Sequence, residues 1–182
     1  MRASPTSVYH PQVPLTPAER CAEAIIAGLQ AAGIDLVASL PDKWLTPLAE
    51  RIDARPAFTH VRLASEDDGV GVCAGAFVGG RRAAVICQNA GLLLAANALA
   101  GMALHHQTPF LALAAHRGAY DDSFFYQVYK GQTVEGVLHA LEVPFYVVDD
   151  ESQLGLVERA AKQAYLARRP VVLLLRRQAL LG

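Results

Sequence analysis

The chain has 182 residues, enough for one domain and little more. Hydrophobic residues make up 53% and charged residues 18%, which excludes disorder over the bulk of the chain. The net charge is −1, from 16 Lys+Arg against 17 Asp+Glu, so no basic excess exists to neutralise a phosphate backbone and nucleic acid is excluded as a partner.

Residues 1–15 carry Pro5, Pro11 and Pro14 without apolar periodicity. They read as a flexible arm, with no apolar leader, ahead of a single domain over 16–182. Thr16-Pro17-Ala18-Glu19 signals a helix start: a Thr cap, Pro at the first helical position and Glu three after the cap. The helix predicted over 16–32 places Cys21, Ile25 and Leu29 on one stripe, and Gly33 closes it in a left-handed turn. Strands are predicted over 35–40, 58–63, 83–87, 110–115, 145–148 and 171–175. Helices are predicted between them, over 44–52, 66–78, 92–104, 134–141 and 153–167, with a polar and aromatic loop over 116–132. Runs such as 83–87 and 171–175 are apolar without alternation, as strands covered on both faces are. The expected fold is α/β, a three-layer sandwich around a six-stranded parallel sheet. The uncharged stretch 83–104 contains Gln88, Asn89, Asn97 and two glycines, and it reads as strand, turn and helix rather than a membrane span. Cys21, Cys73 and Cys87 are odd in number, widely spaced and form no CxxC. They suggest buried small hydrophobes in a reducing cytoplasm, not a zinc site or a disulfide framework.

Ligands of parallel sheets sit at the carboxyl ends of the strands. Four exits matter: residues 39–44, 64–71, 88–94 and 115–131. None carries GxGxxG, a Walker phosphate loop or GxSxG. Glu66-Asp67-Asp68 opens a helix just after a strand, where carboxylates suit the helix dipole. The small residues that follow, 69–76, allow close approach of another backbone or a ligand. Gln88-Asn89-Ala90-Gly91 offers two amides and a glycine, either to a ligand or as a helix cap. His116 and Arg117 follow a strand and suit either an anion or the sheet edge. His105-His106 lies at a helix end, where the dipole favours histidine. No set of His, Cys and carboxylates stands at ligand spacing, so no metal is expected on this chain's own side chains.

The segment from Ser65 to Ala76 resembles the glutamate segment of thiamine-diphosphate (ThDP) enzymes, in which a glutamate stands nine residues before a helix glycine; Glu66 and Gly75 keep that spacing. Gln88-Asn89-Ala90-Gly91-Leu92, with Asn97-Ala98-Leu99 after it, is similar to the Gln-Asn-Ser-Gly-Leu-Gly-Asn…Asn-Ala-Leu segment of sulfopyruvate and phosphonopyruvate decarboxylases. Leu40-Pro41-Asp42-Lys43-Trp44-Leu45 is similar to their Val-Pro-Asp-Ser-Trp-Leu loop. His116-Arg117-Gly118 and Leu141-Glu142-Val143-Pro144 resemble their Trp-Arg-Gly and Leu-Gly-Ile-Pro positions.

The resemblance implies a pyrimidine-binding (PYR) domain, the α subunit of a split decarboxylase of a small anionic 2-oxoacid. No Gly-Asp-Gly occurs in the 182 residues, so a β subunit with the diphosphate-binding (PP) domain is the implied partner and the implied source of the Mg²⁺ ligands. Glu66 is the implied catalytic residue, hydrogen-bonding N1′ of the aminopyrimidine. Glu66, Gln88, Asn89 and Gly91 are the implied cofactor-binding residues, and Asp42, Lys43, Arg117 and Gln127 the implied substrate residues. Leu93-Leu94 replace the family's second Gly-Asn pair, Ala90 its Ser, and Lys43 the Ser of the substrate loop. These departures bear on the substrate more than on the cofactor. Carboligation on the same cofactor and a non-catalytic role for the fold are the competing readings.

Overall fold

The computed structural model describes residues 14–119 and 122–182. The arm expected over 1–15 lies outside them up to residue 13. In chain order the elements are α1 (Pro17–Ala31), β1 (Leu36–Ser39), α2 (Thr46–Asp53), β2 (Thr59–Arg62), α3 (Glu66–Val78) and β3 (Ala83–Gln88). Then come α4 (Asn89–Leu94), α5 (Ala96–Ala98), a π-helical stretch (Leu99–Leu104), β4 (Leu111–Ala115) and α6 (Phe125–Ala140). The chain continues through β5 (Phe145–Val148), a 3₁₀ turn (Glu151–Gln153), α7 (Leu156–Ala167), β6 (Val171–Leu175) and α8 (Arg177–Leu181).

The six strands pair in the order β2-β1-β3-β4-β6-β5, all parallel. Successive side chains of a strand point to opposite faces. Accordingly Leu111, Leu113 and Ala115 of β4 join one apolar cluster with α1, α2, α7 and α8. Ala112 and Ala114 join the other, with Val70 and Cys73 of α3, Leu92 of α4 and Val134 and Leu138 of α6. Both faces are covered, which is why the strand runs lack polar alternation.

Local signals set the ends of α1. The Thr16 N–H donates to Glu19 Oε2 at 2.7 Å, while Thr16 Oγ1 accepts from the Glu19 N–H at 3.3 Å. Gly33 turns the chain at φ 72°, where an L side chain is strained.

Three elements differ from the sequence expectation. The helix expected over 92–104 begins at Asn89, directly off β3, and is interrupted into α4, α5 and the π-helical stretch. The loop expected over 116–132 is helical from Phe125, nine residues before the expected start at 134. The first turns of α6 expose Phe125, Tyr126 and Tyr129, so they show no apolar stripe facing the core. The short α8 has no counterpart among the expected elements; Arg176, Arg177 and Gln178 separate its apolar Ala179-Leu180-Leu181 from the apolar run of β6.

This topology places a crevice. β1 and β3 are neighbours, but α2 leaves β1 onto one face and α4 leaves β3 onto the other. Where successive connections diverge, the carboxyl ends of the strands open toward solvent. No helix among the described residues is long and apolar enough to cross a membrane.

Candidate active site

Glu66 is the first residue of α3, after Ser65 in extended conformation. Its side chain is half-buried because α3 packs against α4. The contact point is Gly91. A Cβ at Gly91 would overlap Cγ, Cδ and Oε1 of Glu66, so the carboxylate lies against the α4 backbone. Asp67 and Asp68 are exposed on the same turn. Gly75, the partner in the nine-residue spacing, is exposed, with open space where a Cβ would stand. Beside the Glu66–Gly91 contact, β3 ends in Gln88 and α4 begins with fully buried Asn89. Asn89 Nδ2 donates to the Arg117 carbonyl at 2.8 Å, while Gln88 Oε1 and Asn89 Oδ1 are buried with no hydrogen-bond partner. Buried polar atoms left unpaired cost about 1–3 kcal/mol each, which marks them as places for a ligand donor.

Arg117 ties the β4 exit to the β1 exit. Its Nη1 donates to Asp42 Oδ2 at 3.0 Å and its Nε to Asp122 Oδ2 at 2.8 Å. The three side chains are nearly closed to solvent, at 6% exposure for Arg117, 6% for Asp42 and 1% for Asp122. Asp42 Oδ1 accepts from the Trp44 N–H at 2.9 Å, and the guanidinium lies over the Trp44 ring, 4.2 Å from its centroid. Burial pushes the Asp122 carboxyl up, but the Arg117 hydrogen bond and the Gly118 N–H outweigh it, and the group sits below its ordinary value. One cation between two carboxylates leaves no positive surplus. Arg117, expected at the substrate's anionic end, is engaged within the chain, and Asp42 with it.

Lys43 is exposed beside this clamp and has no ion-pair partner among the described residues. Gln127 is buried in the first turn of α6, with Oε1 unpartnered. Its backbone presses on Gly118: a Cβ there would overlap the Gln127 carbonyl, and φ is 73°. His116 is 3% exposed; burial pushes its imidazole below its ordinary value, so it is neutral at pH 7. Burial also pushes the Cys73 and Cys87 thiols far above theirs, which leaves them inert as nucleophiles. Glu66 and Gly91 are in contact, and Gln88 and Asn89 stand three and two residues before Gly91 at the β3–α4 junction. Arg117, bonded to Asn89 through its carbonyl, joins Asp42 and Asp122, with Gln127 against Gly118. Sequence reasoning missed Trp44, Gly118 and Asp122 around Arg117. Gly118, directly after Arg117, was the available signal, since only a residue without a side chain admits the Gln127 carbonyl there.

Residues 19–143 match the thiamine pyrophosphate enzyme N-terminal TPP-binding domain. The chain belongs to the thiamine pyrophosphate (ThDP) enzyme family. It is 37% identical over 123 residues to the sulfopyruvate decarboxylase subunit alpha of Methanothermobacter thermautotrophicus, which covers 68% of this chain and 74% of that one. It is 33% identical over 94 residues to the phosphonopyruvate decarboxylase of Streptomyces viridochromogenes, covering 52% of this chain but 24% of that protein. In three dimensions it resembles the benzoylformate decarboxylase of Polynucleobacter necessarius, with a TM-score of 0.71 and 19% identity, over 89% of this chain and 30% of that one. The site fits the ring end of ThDP. An aminopyrimidine is flat and carries both N–H donors and ring-nitrogen acceptors, and the β3–α4 junction offers a carboxylate held against a glycine and two buried amide oxygens without a partner.

Proposed function

We propose that the chain is the α subunit of a ThDP-dependent decarboxylase acting on a small anionic 2-oxoacid of the sulfopyruvate or phosphonopyruvate kind. The observation that carries this reading is the Glu66 carboxylate held against Gly91, at the β3–α4 junction where the Gln88 and Asn89 oxygens are buried without a partner. When bound, ThDP supplies the electron sink that lets a 2-oxoacid lose CO₂ and leave as an aldehyde. Glu66 holds a proton shared with N1′ of the aminopyrimidine, a role that a carboxylate fills and an amide does not. Gln88 Oε1 and Asn89 Oδ1 accept from the N–H groups of the ring. Gly91 supplies space rather than a contact group. Arg117, held by Asp42 and Asp122, closes the wall against water, and Lys43 at the exposed end meets the anionic group of the substrate.

The diphosphate and Mg²⁺ are assigned to a β chain with the PP domain, so that α and β chains assemble around the cofactor. The subunit name of the Methanothermobacter relative supports a partner, as does the phosphonopyruvate decarboxylase, of which this chain matches only a quarter. Three free, buried cysteines support a reducing, cytoplasmic setting.

The test is CO₂ release from sulfopyruvate and phosphonopyruvate by the α–β complex. Glu66→Gln should lower turnover roughly 10²–10⁴-fold. Asp67→Asn and Asp68→Asn should stay near wild type, since both carboxylates face solvent. Full turnover in Glu66→Gln would end this reading.

A further inference from the structure

A second constellation lies on the other face of the β1 exit. Ser39 is the last residue of β1 and the one polar side chain of that strand. Its Oγ is 2.7 Å from Nε2 of His60 on β2. His60 Nδ1 is 2.5 Å from Asp53 Oδ1 at the end of α2, and the other Asp53 oxygen is paired with Arg62. The register puts these groups on one face, since Val37 stands beside His60 and Ser39 beside Arg62. The imidazole is 5% exposed, so its two hydrogen bonds fix its orientation.

The chemistry of the partners sets the proton positions. Hydrogen bonds from His60 and Arg62 outweigh the small cost of burial and hold the Asp53 carboxyl below its ordinary value, so it is an acceptor only. Nδ1 must therefore carry the proton that faces Asp53. In the neutral imidazole Nε2 is then the acceptor for the Ser39 hydroxyl, the tautomer a general base requires. Arg62 on the far carboxylate oxygen holds Asp53 in place.

Ser39 also lines a cavity of about 390 Å³ between α2 and the ends of β1, β2 and β3. Its walls include Leu45, Ala49 and Ile86, with the Thr46 hydroxyl among them. Thr46, Glu50 and Arg62 are exposed at its rim, so it opens to solvent. Nucleophile, base, orienting acid and a space beside the nucleophile are thus together, the groups that form and break an acyl–serine bond. The volume is at the small end of ligand pockets.

We infer that Ser39, His60 and Asp53 form a second active centre, independent of ThDP, that hydrolyses short-chain acyl esters. The Ser39 oxygen bonds to the acyl carbon and its proton passes to His60 Nε2. The bond from that carbon to the alkoxy oxygen then breaks, and His60 returns the proton to the departing alcohol. Water attacks the acyl–Ser39 ester with His60 again taking a proton, which releases the acid and restores the serine. Ester and water give acid and alcohol, with no oxidant or reductant.

The full chain is treated with a fluorophosphonate probe, alone and with the β chain and ThDP, and the modified peptide is found by mass spectrometry. The serine oxygen bonds to phosphorus and fluoride leaves. The expected label is on Ser39, with or without ThDP, together with hydrolysis of p-nitrophenyl acetate. Ser39→Ala should abolish both. Asp53→Asn, which keeps the size of the side chain, should slow labelling by roughly 10²-fold or more by upsetting the tautomer. Melting temperature and circular dichroism are followed for each variant, and His60→Gln serves as the second test of the base should Asp53→Asn unfold. An unlabelled Ser39 in the folded wild type would overturn the proposal and leave a structural hydrogen-bond chain. Ester hydrolysis that persists in Ser39→Ala would overturn it too.

Discussion

Gly91→Ala separates the fold from the site. The added methyl would occupy the place of Glu66 Cγ, Cδ and Oε1, so the carboxylate must swing away. Those atoms are the end of a flexible, half-buried side chain, and a move to a less favourable rotamer costs about 0.5–1.5 kcal/mol. Alanine in place of glycine in a helix returns up to roughly 1 kcal/mol. The two nearly cancel, so the melting temperature should change by no more than about 4 °C for a chain of this size. Function should not be spared. Normal carbon contacts lie near 3.5–4 Å, so relief of the overlap displaces the carboxylate by on the order of 1 Å or more. A shift of that size costs about 10²-fold in rate. The assay is steady-state decarboxylation by the α–β complex, with thermal unfolding of the α chain alongside. Wild-type turnover in Gly91→Ala would show that Gly91 does not place Glu66. A fall in melting temperature beyond roughly 10 °C would show that the contact is core packing instead.

Three further outcomes follow from the same geometry. Lys43→Ala should raise KM for an anionic 2-oxoacid with the melting temperature unchanged; kinetics unaltered for every oxoacid would remove Lys43 from the substrate site. Arg117→Met leaves Asp42 and Asp122 buried without a counter-charge, which costs about 3–5 kcal/mol and should lower the melting temperature by roughly 6–20 °C. Adding Asp122→Asn should recover part of that loss, and no loss in the single variant would contradict the clamp. His116 is buried with its pKa below the ordinary value, so the unfolded chain takes up a proton first as pH falls. Its contribution should be intact above about pH 6.5 and decline as pH drops below that, toward the folded value. His116→Asn should flatten the melting temperature between pH 7.5 and 5.5, and an unchanged slope would refute the assignment.

The sheet was legible because its signals are local or periodic. Runs such as Val171–Leu175 are apolar on both faces, and Thr16 with Glu19 announces α1 within four residues. The start of α6 was not legible for a physical reason. Its first turns bury Gln127 and Gly131 but expose Phe125, Tyr126, Val128 and Tyr129, the reverse of an amphipathic stripe. That turn packs backbone to backbone against the β4 exit. A Cβ at Gly131 would stand 2.6 Å from the Gly118 carbonyl, an approach only two glycines permit. Propensity and hydropathy carry no trace of such a contact, because it depends on which segments the fold brings together.

The site divides along the same line. Glu66, Gln88, Asn89 and Gly91 are short-range neighbours of strand ends, which is where the motif resemblance puts its candidates. Their jobs were less legible than their positions. Gly91 reads in sequence as part of a segment offered to a ligand or a helix cap, yet its φ is negative, and what the structure shows there is room for the Glu66 side chain. Arg117 reads as a cation awaiting an anion, yet it is bound to Asp42, 75 positions earlier, and to Asp122. A positive charge in a sequence says nothing about whether its field is already spent. In a nearly closed site two carboxylates on one guanidinium leave a net charge of −1, which attracts no anion by itself. On the proposed function, the anionic end of the 2-oxoacid is assigned to Lys43. The substitution of Lys43 for the serine of the related loop is therefore where substrate preference should be sought first.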